Sequence, residues 1–313
     1  MILVQSVVMT NLAGSFAGMF GKMGMAWLNI LRNNTYAGVI ALGMCFVIIS
    51  GGIDLSVGSN IALSGLLMGI LMKNFGVAVP VTIISCILFS GLIGLVNGAL
   101  IAYLNLPPFI ATLGTMMVSR GLSALLVVDP NIFFPTGTWF NRTFSNYNGI
   151  PVGFVWVLGL AFLCAYVMYK SRVGRYILAI GSNEEATRLS GINTDFYKTL
   201  AYVFSGMGAG IAAIFWSASF TTVAAATGNG MELDAIAGVY IGGTSAAGGV
   251  ASIAGSVIGS IMLVVIRSGL NFVLARFNLN LNSTYVTYVL TGIIVVVAVL
   301  MDVIKTKNAN KVK

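Results

Sequence analysis

Long apolar runs separated by short polar segments dominate this sequence. A helix that crosses the ~30 Å hydrocarbon core of a bilayer needs about 20 mostly apolar residues. Runs of about that length predict ten membrane spans, at roughly 1–20, 35–51, 55–72, 77–103, 108–128, 150–169, 197–226, 235–248, 250–273 and 284–304. Two runs are long and one is short, which favours broken or tilted helices. The pattern therefore predicts an all-α polytopic transmembrane helical bundle, with one domain over 1–313.

Composition supports lipid as the solvent for this chain. Only 8% of the residues are charged and 58% are hydrophobic, whereas a soluble domain carries about 25% charged residues. The absence of histidine removes the commonest metal ligand and the commonest general base. The three cysteines, Cys45, Cys86 and Cys164, lie far apart inside apolar runs. We therefore expect no enzyme activity, no metal and no cofactor.

Glycine is the second compositional signal. The chain has 38 glycines, while a usual share of roughly 7% would give about 22. Small residues let membrane helices approach closely for dispersion contacts. The spacing GxxxG, which predicts such contacts, occurs at Gly14/Gly18, Gly65/Gly69, Gly94/Gly98, Gly206/Gly210, Gly238/Gly242 and Gly255/Gly259.

Basic residues predict the orientation. They concentrate in the loop 170–198 and in the tail after 304, and such segments face the cytoplasm. Ten spans place this loop and both termini on the same side, in a multi-pass protein of the bacterial inner (cytoplasmic) membrane. The net charge of +8 belongs to residues beside the spans. It therefore predicts contact with membrane lipid and no binding of nucleic acid.

The most informative polar stretch is GSNEEATRLSGIN at 181–193. Asn183 is placed to cap a short helix, and Glu184 and Glu185 fall in its first turn, where the helix dipole favours anions. Gly191 is placed to end that helix. On these residues alone, an ordinary capped loop helix explains the pattern.

Several polar residues are candidates for a translocation path. Asp54 lies between two spans, where it either caps the 55–72 helix or acts as an intramembrane carboxylate. Glu232 and Asp234 precede the short span, where they either cap it or line the mouth that receives substrate. Polar side chains within spans should face the bundle, because exposure to lipid is costly; they are Asn60, Asn97, Arg120 and Asn271.

Four stretches carry a resemblance to a known family. They are PPFIATLGTMMVSRG (107–121), GSNEEATRLSGIN (181–193), GGIDLSVGS (51–59) and ELDAIAGVYIGGTSAAGGV (232–250). In order and spacing they resemble the ribose-type branched family of ABC sugar permeases, over roughly 28–304. The resemblance implies that Glu185-Ala186 and Gly191 belong to a cytoplasmic coupling helix that docks onto an ATPase subunit. Thr187 departs from the alanine common there, and the segment before Trp27 does not match the family's usual first helix.

The resemblance also implies the function and the partners. It implies a permease subunit that translocates a monosaccharide, either ribose-like or a hexose, with an extracytoplasmic sugar-binding protein and a second permease copy, identical or homologous. The sequence contains no GxxxxGK[ST] phosphate-binding loop, so ATP hydrolysis is expected in a separate ATPase subunit. The alternative is a secondary transporter driven by an ion gradient. That alternative needs ionisable residues at mid-membrane depth, where only Arg120 and Arg267 are expected.

Overall fold

The computed structural model describes residues 16–126, 131–276 and 283–311, which form helices and one two-stranded sheet. In chain order the elements are α1 (Phe16–Asn33), α2 (Thr35–Ile49), α3 (Val57–Lys73), α4 (Val79–Ala102), α5 (Pro108–Leu125), β1 (Asn131–Phe133), α6 (Trp139–Phe144), α7 (Val152–Lys170), α8 (Arg172–Ser182), α9 (Glu184–Leu189), α10 (Thr194–Phe220), β2 (Thr222–Ala224), α11 (Met231–Ile241), α12 (Ile253–Arg276) and α13 (Ser283–Lys311). Strands β1 and β2 pair antiparallel, with Ile132 opposite Val223.

The helices differ in their ability to cross a bilayer. Within the described residues, four are long and apolar enough to do so alone: α4, α7, α10 and the Ile253–Leu270 part of α12. The end of α1 and the whole of α2 form a fifth candidate, bent by 56°. Helix α3 and the Tyr285–Leu300 part of α13 are apolar but shorter. The prediction of an all-α polytopic membrane protein with short and broken helices is confirmed.

The beginning of the chain differs from the prediction. The span predicted at 1–20 lies mostly outside the described residues. Helix α1 instead extends to Asn33, through a segment that the hydropathy pattern left between two spans. Its polar residues, such as Lys22, Asn29 and Arg32, lower the local hydropathy, but the segment contains no proline and its backbone stays helical.

Helix α10 packs against both α4 and α2. A Cβ added at Gly94 would overlap the carbonyl oxygen of Tyr202, and one added at Gly206 would lie 2.5 Å from that of Ser90. The two backbones therefore touch where side chains are missing, as expected for membrane helices that associate through small residues. The predicted packing role of the GxxxG pairs in α4 and α10 is confirmed.

After α10 the chain turns back into the bundle. Thr221 adopts a left-handed conformation with φ 57°, and the chain continues as strand β2. Val223 lies against Gly65, and Gly228 lies against Gly58. Those two glycines are seven residues apart on α3, or about 10 Å along the helix. The segment between α10 and α11 is thus a re-entrant loop that descends along α3.

This loop corrects two predicted boundaries. The span predicted at 197–226 ends at residue 220, because the apolar residues that follow keep hydropathy high although the backbone is extended. The short span predicted at 235–248 is α11, which ends before Gly242. Gly243 then has φ 88°, and the glycine-rich segment 242–250 forms an irregular connection to α12.

Candidate functional site

The polar loop between α7 and α10 folds into two short helices. In α9, the Asn183 side-chain oxygen accepts a hydrogen bond from the backbone N–H of Ala186 at 2.9 Å. Gly191, just after the helix, has φ 82°, a conformation that glycine adopts readily and that ends helices. The predicted cap and the predicted stop are both confirmed.

Ion pairs fix one side of α9 to the start of α10. Lys198 Nζ lies 2.6 Å from Glu184 Oε2. Arg188 lies 3.5 Å from Glu184 and 3.3 Å from Asp195. Among the described residues Glu185 takes part in none of these ion pairs. The two glutamates of the first turn therefore differ, since Glu184 is held by ion pairs to Arg188 and Lys198, whereas Glu185 is exposed.

Glu185 and Leu189 together form an exposed face of α9. They are four residues apart, a spacing that places side chains next to each other on a helix. The Leu189 side chain is 83% exposed. Glu185 and Leu189 are thus exposed on a helix whose other side is held by ion pairs.

The α8–α9 segment is also in direct contact with the bundle. Gly181, near the end of α8, packs on the carbonyl oxygen of Ile49 at the end of α2. The same carbonyl accepts a hydrogen bond from the Gly249 N–H at 3.0 Å. Gly181, three residues before the start of α9, therefore contacts both α2 and the connection before α12 through backbone atoms.

A second group of polar residues lies between helices, where all are buried except Thr115, which is partly buried. We call Asp54, Ser56, Asn97, Thr115 and Ser205 the Asp54 cluster. The backbone N–H and hydroxyl of Ser56 donate to Asp54 Oδ1 at 2.9 and 2.6 Å, and the Ser205 hydroxyl donates to Oδ2 at 2.7 Å. Asn97 donates to the Ser56 hydroxyl at 2.8 Å and accepts from the Thr115 hydroxyl at 2.6 Å. Each buried polar group named here has a partner.

The position of Asp54 differs from a simple helix cap. Ser56 occupies the N-cap position of α3, and Asp54 binds that residue. Ser205 is eleven residues beyond the first residue of α10, which corresponds to about 16 Å along the helix. Asp54 is only 1% exposed, so it is a buried carboxylate that joins the start of α3 to the middle of α10.

A third group lines a cavity of about 690 Å³ beside the first turn of α11, which we call the ion-pair cavity. Its walls come from α2, α10, the re-entrant loop, α11, α12 and α13. The lining residues are Tyr36, Trp216, Asn229, Gly230, Glu232, Leu233, Asp234, Arg267, Thr287, Tyr288 and Thr291. Its volume falls in the range of about 300–1,000 Å³ typical of small-molecule sites.

Charged side chains form one wall of this cavity. Arg267 donates from both terminal nitrogens to the carboxylate of Asp234, and one of these nitrogens also donates to the Thr291 hydroxyl at 2.7 Å. Glu232 accepts a hydrogen bond from the Gly230 N–H at 3.2 Å and packs over Gly58. Gly230, not Glu232, is the N-cap residue of α11. Glu232 lines the cavity, and its predicted role in receiving substrate stays a prediction.

Arg120 stabilises the re-entrant loop that borders the cavity. Its guanidinium donates to the carbonyl oxygens of Ala225 and Thr227, at 2.9 and 2.6 Å. These carbonyls belong to backbone outside any helix or strand, and such groups need partners at membrane depth. The expectation that Arg120 faces the bundle is confirmed.

The structure separates the residues that the sequence grouped as pathway candidates. Asp54 and Asn97 lie in the Asp54 cluster, while Glu232 and Asp234 line the ion-pair cavity. The side chain of Asn271 lies outside the described residues. Sequence reasoning did not find Tyr36, Trp216, Tyr288 or Thr291, because single aromatic and hydroxyl residues in apolar runs also occur as ordinary packing residues.

Comparison with known families decides the identity of this bundle. A family model described as "Branched-chain amino acid transport system / permease component" matches residues 26–299. The chain belongs to this permease family. It is a multi-pass membrane protein, and the resemblance seen in its four motifs is confirmed.

Individual relatives of the permease are similar along most of their length. The ribose import permease of Escherichia coli K12 is 36% identical over 280 residues, which cover 88% of this chain and 84% of that protein. The ribose import permease of Bacillus subtilis is 38% identical over 281 residues, with the same coverage. The D-allose transport permease of E. coli is 34% identical over 265 residues, covering 84% and 79%. No solved structure matches the chain.

Proposed function

We propose that this permease imports a monosaccharide across a bacterial cytoplasmic membrane, as the membrane-spanning subunit of an ABC transporter. The observation that carries the proposal is 34–38% identity, along 84–88% of the chain, to proteins named as ribose and allose permeases. A fructose import permease of Bifidobacterium longum is also 36% identical, over 82% of the chain. A pentose or a hexose is therefore the favoured substrate class.

The description of the family suggests a second candidate substrate, a branched-chain amino acid. The relatives favour a sugar, since the ribose, allose and fructose permeases are all named after sugars.

Uptake competition separates the two candidates. Cells that depend on this permease are given labelled D-ribose, D-allose, D-galactose or D-fructose, with an excess of each unlabelled sugar or of L-leucine. Labelled L-leucine is given in a parallel assay. We expect uptake of at least one sugar, no competition by leucine and no leucine uptake; leucine uptake without sugar uptake would contradict the proposal.

Energy comes from a separate ATPase subunit in this proposal. The segment 170–198 serves as its cytoplasmic coupling loop, with Asn183, Glu184, Glu185, Ala186 and Gly191 shaping the docking helix. Support comes from α9 itself, which is capped, held by ion pairs on one side and exposed at Glu185 and Leu189 on the other. The contact of Gly181 with Ile49 gives a direct route from that helix into the bundle.

The remaining partners complete the transporter. An extracytoplasmic binding protein delivers the sugar, and a second permease copy, identical or homologous, completes the transmembrane unit. Loops rich in lysine and arginine face the cytoplasm. Because the 170–198 loop and the tail are rich in these residues, both termini and the α8–α9 segment face the cytoplasm in this proposal. The apolar outer faces of α4 and α7 contact membrane lipid.

A further inference from the structure

Asp234 and Arg267 balance each other's charge in the ion-pair cavity, and Glu232 is the third charged residue of its lining. Polar and ionisable residues within membrane proteins are costly and mark substrate paths or paired sites. Asp234 and Arg267 form a two-point pair, and Thr291 binds the same guanidinium. This wall offers acceptors and donors of hydrogen bonds without a net charge from the pair. The pair therefore suits a neutral ligand rich in hydroxyl groups better than an ion, and the Glu232 carboxylate adds an acceptor for a hydroxyl group.

Aromatic rings form other parts of the lining. The rings of Tyr36 and Trp216 meet edge to face, with centroids 5.0 Å apart. The Trp216 indole N–H donates to the Thr222 carbonyl at 3.1 Å, which fixes the orientation of the ring. Tyr288, on α13, is 49% exposed, and a Cβ added at Gly230 would lie 3.4 Å from its ring. Aromatic faces pack on the apolar C–H surfaces of a ligand while polar groups fix its orientation.

We propose that the ion-pair cavity is a contact site for a neutral monosaccharide. The C–H face of the sugar packs against Trp216 or Tyr288, and its hydroxyls exchange hydrogen bonds with Asp234, Arg267 and Thr291. This inference rests on the proposed function and adds a site to it. A free amino acid fits the Asp234–Arg267 pair less well, because its ammonium and carboxylate groups would compete with a carboxylate and a guanidinium that already bind each other.

Fluorescence of Trp216 tests binding directly. The chain has four tryptophans, and replacing Trp27, Trp139 and Trp156 by phenylalanine leaves Trp216 as the only one. In lipid nanodiscs, titration with each of D-ribose, D-allose, D-galactose and D-fructose should give a saturable change in its emission for the sugar that the uptake assay identifies, and L-leucine should give none. Adding Tyr288→Ala should weaken the apparent affinity about tenfold, the equivalent of 1.4 kcal/mol. Tyr285, one turn earlier and 68% exposed, is not among the lining residues, so Tyr285→Ala serves as the matched control.

Transport by the assembled complex separates this inference from the proposed function. We expect Tyr288→Ala and Asp234→Asn to reduce sugar uptake about tenfold at low sugar concentration, while the binding protein still stimulates ATP hydrolysis. Normal uptake in both variants, with no fluorescence response at Trp216, would overturn the cavity proposal and leave the sugar permease proposal standing. Absence of sugar uptake by the unmodified complex would overturn the proposed function itself.

Discussion

Arg267 on α12 binds the carboxylate of Asp234 on α11 through both terminal nitrogens, although 33 residues separate them. Their side chains are only 26% and 16% exposed. The pair joins α11 to α12, the next helix along the chain, which packs beside α11. It is therefore a polar link between two helices at the wall of the cavity.

Removing one member of this pair should destabilise the permease. Asp234→Ala leaves a partly buried guanidinium without its carboxylate, and loss of one partner of such a pair costs about 3 kcal/mol. Thermal unfolding in nanodiscs should show a clear decrease in the midpoint. The double variant Asp234→Leu, Arg267→Leu is the control, because it removes both charges and should be more stable than Asp234→Ala. Equal stability of Asp234→Ala and the unmodified protein would show that the pair contributes little.

Reversing the charge of Glu185 should uncouple transport. In the Glu185→Lys variant the exposed face of α9 becomes basic, so docking of the ATPase subunit should fail while membrane insertion remains normal. Copurification of the ATPase should decrease at least about tenfold, with a parallel loss of sugar uptake. Glu185→Gln removes the charge without reversing it and should give an intermediate loss. Normal copurification and uptake in the Glu185→Lys variant would remove α9 from the docking surface.

Loss of the Asn183 cap should destabilise α9 and leave the other helices unchanged. Asn183→Ala removes the hydrogen bond to the Ala186 N–H, and loss of an asparagine cap costs about 1 kcal/mol. Amide hydrogen exchange in residues 186–190 should become about fivefold faster. Asn193→Ala is the matched control, because it removes an equivalent cap from α10, whose first turn it should affect instead. Unchanged exchange in α9 after loss of Asn183 would show that the ion pairs alone hold the helix.

Close helix packing gives a fourth prediction. Gly94→Ala places a methyl group against the carbonyl oxygen of Tyr202, and overpacking of this kind costs about 1–3 kcal/mol. Gly114→Ala, on α5, meets nothing within 4 Å and should be neutral or slightly stabilising. Thermal unfolding of the two variants measures the difference. Equal midpoints would mean that α4 and α10 can separate without loss of stability.

The sequence predicted most helices and the α9 helix well, for a physical reason. A span must be long and apolar, and the end of a loop helix needs residues such as Asn183 and Gly191, so both signals are local. The re-entrant loop was not predictable in this way. Its backbone groups are satisfied by distant partners such as Arg120, and the apolar residues after Thr221 look like a continuing helix.

The pathway candidates show the same limit. Asp54 and Asn97 were correctly recognised as unusual for their setting, yet their shared hydrogen bonds depend on how α3, α4 and α10 pack. The ion-pair cavity joins residues from six segments of the chain. Hydropathy identifies the charged members, Asp234 and Arg267, but gives no signal that Tyr36 or Tyr288 lies beside them.

ATP-driven uptake by purified components tests the central claim most directly. The permease is reconstituted in liposomes with or without its ATPase subunit, with ATP and Mg²⁺ on the ATPase side and sugar-loaded binding protein on the other. We predict sugar accumulation only when the ATPase and ATP are both present, and none from an imposed proton or sodium gradient. Gradient-driven accumulation by the permease alone would contradict the account and favour a secondary transporter.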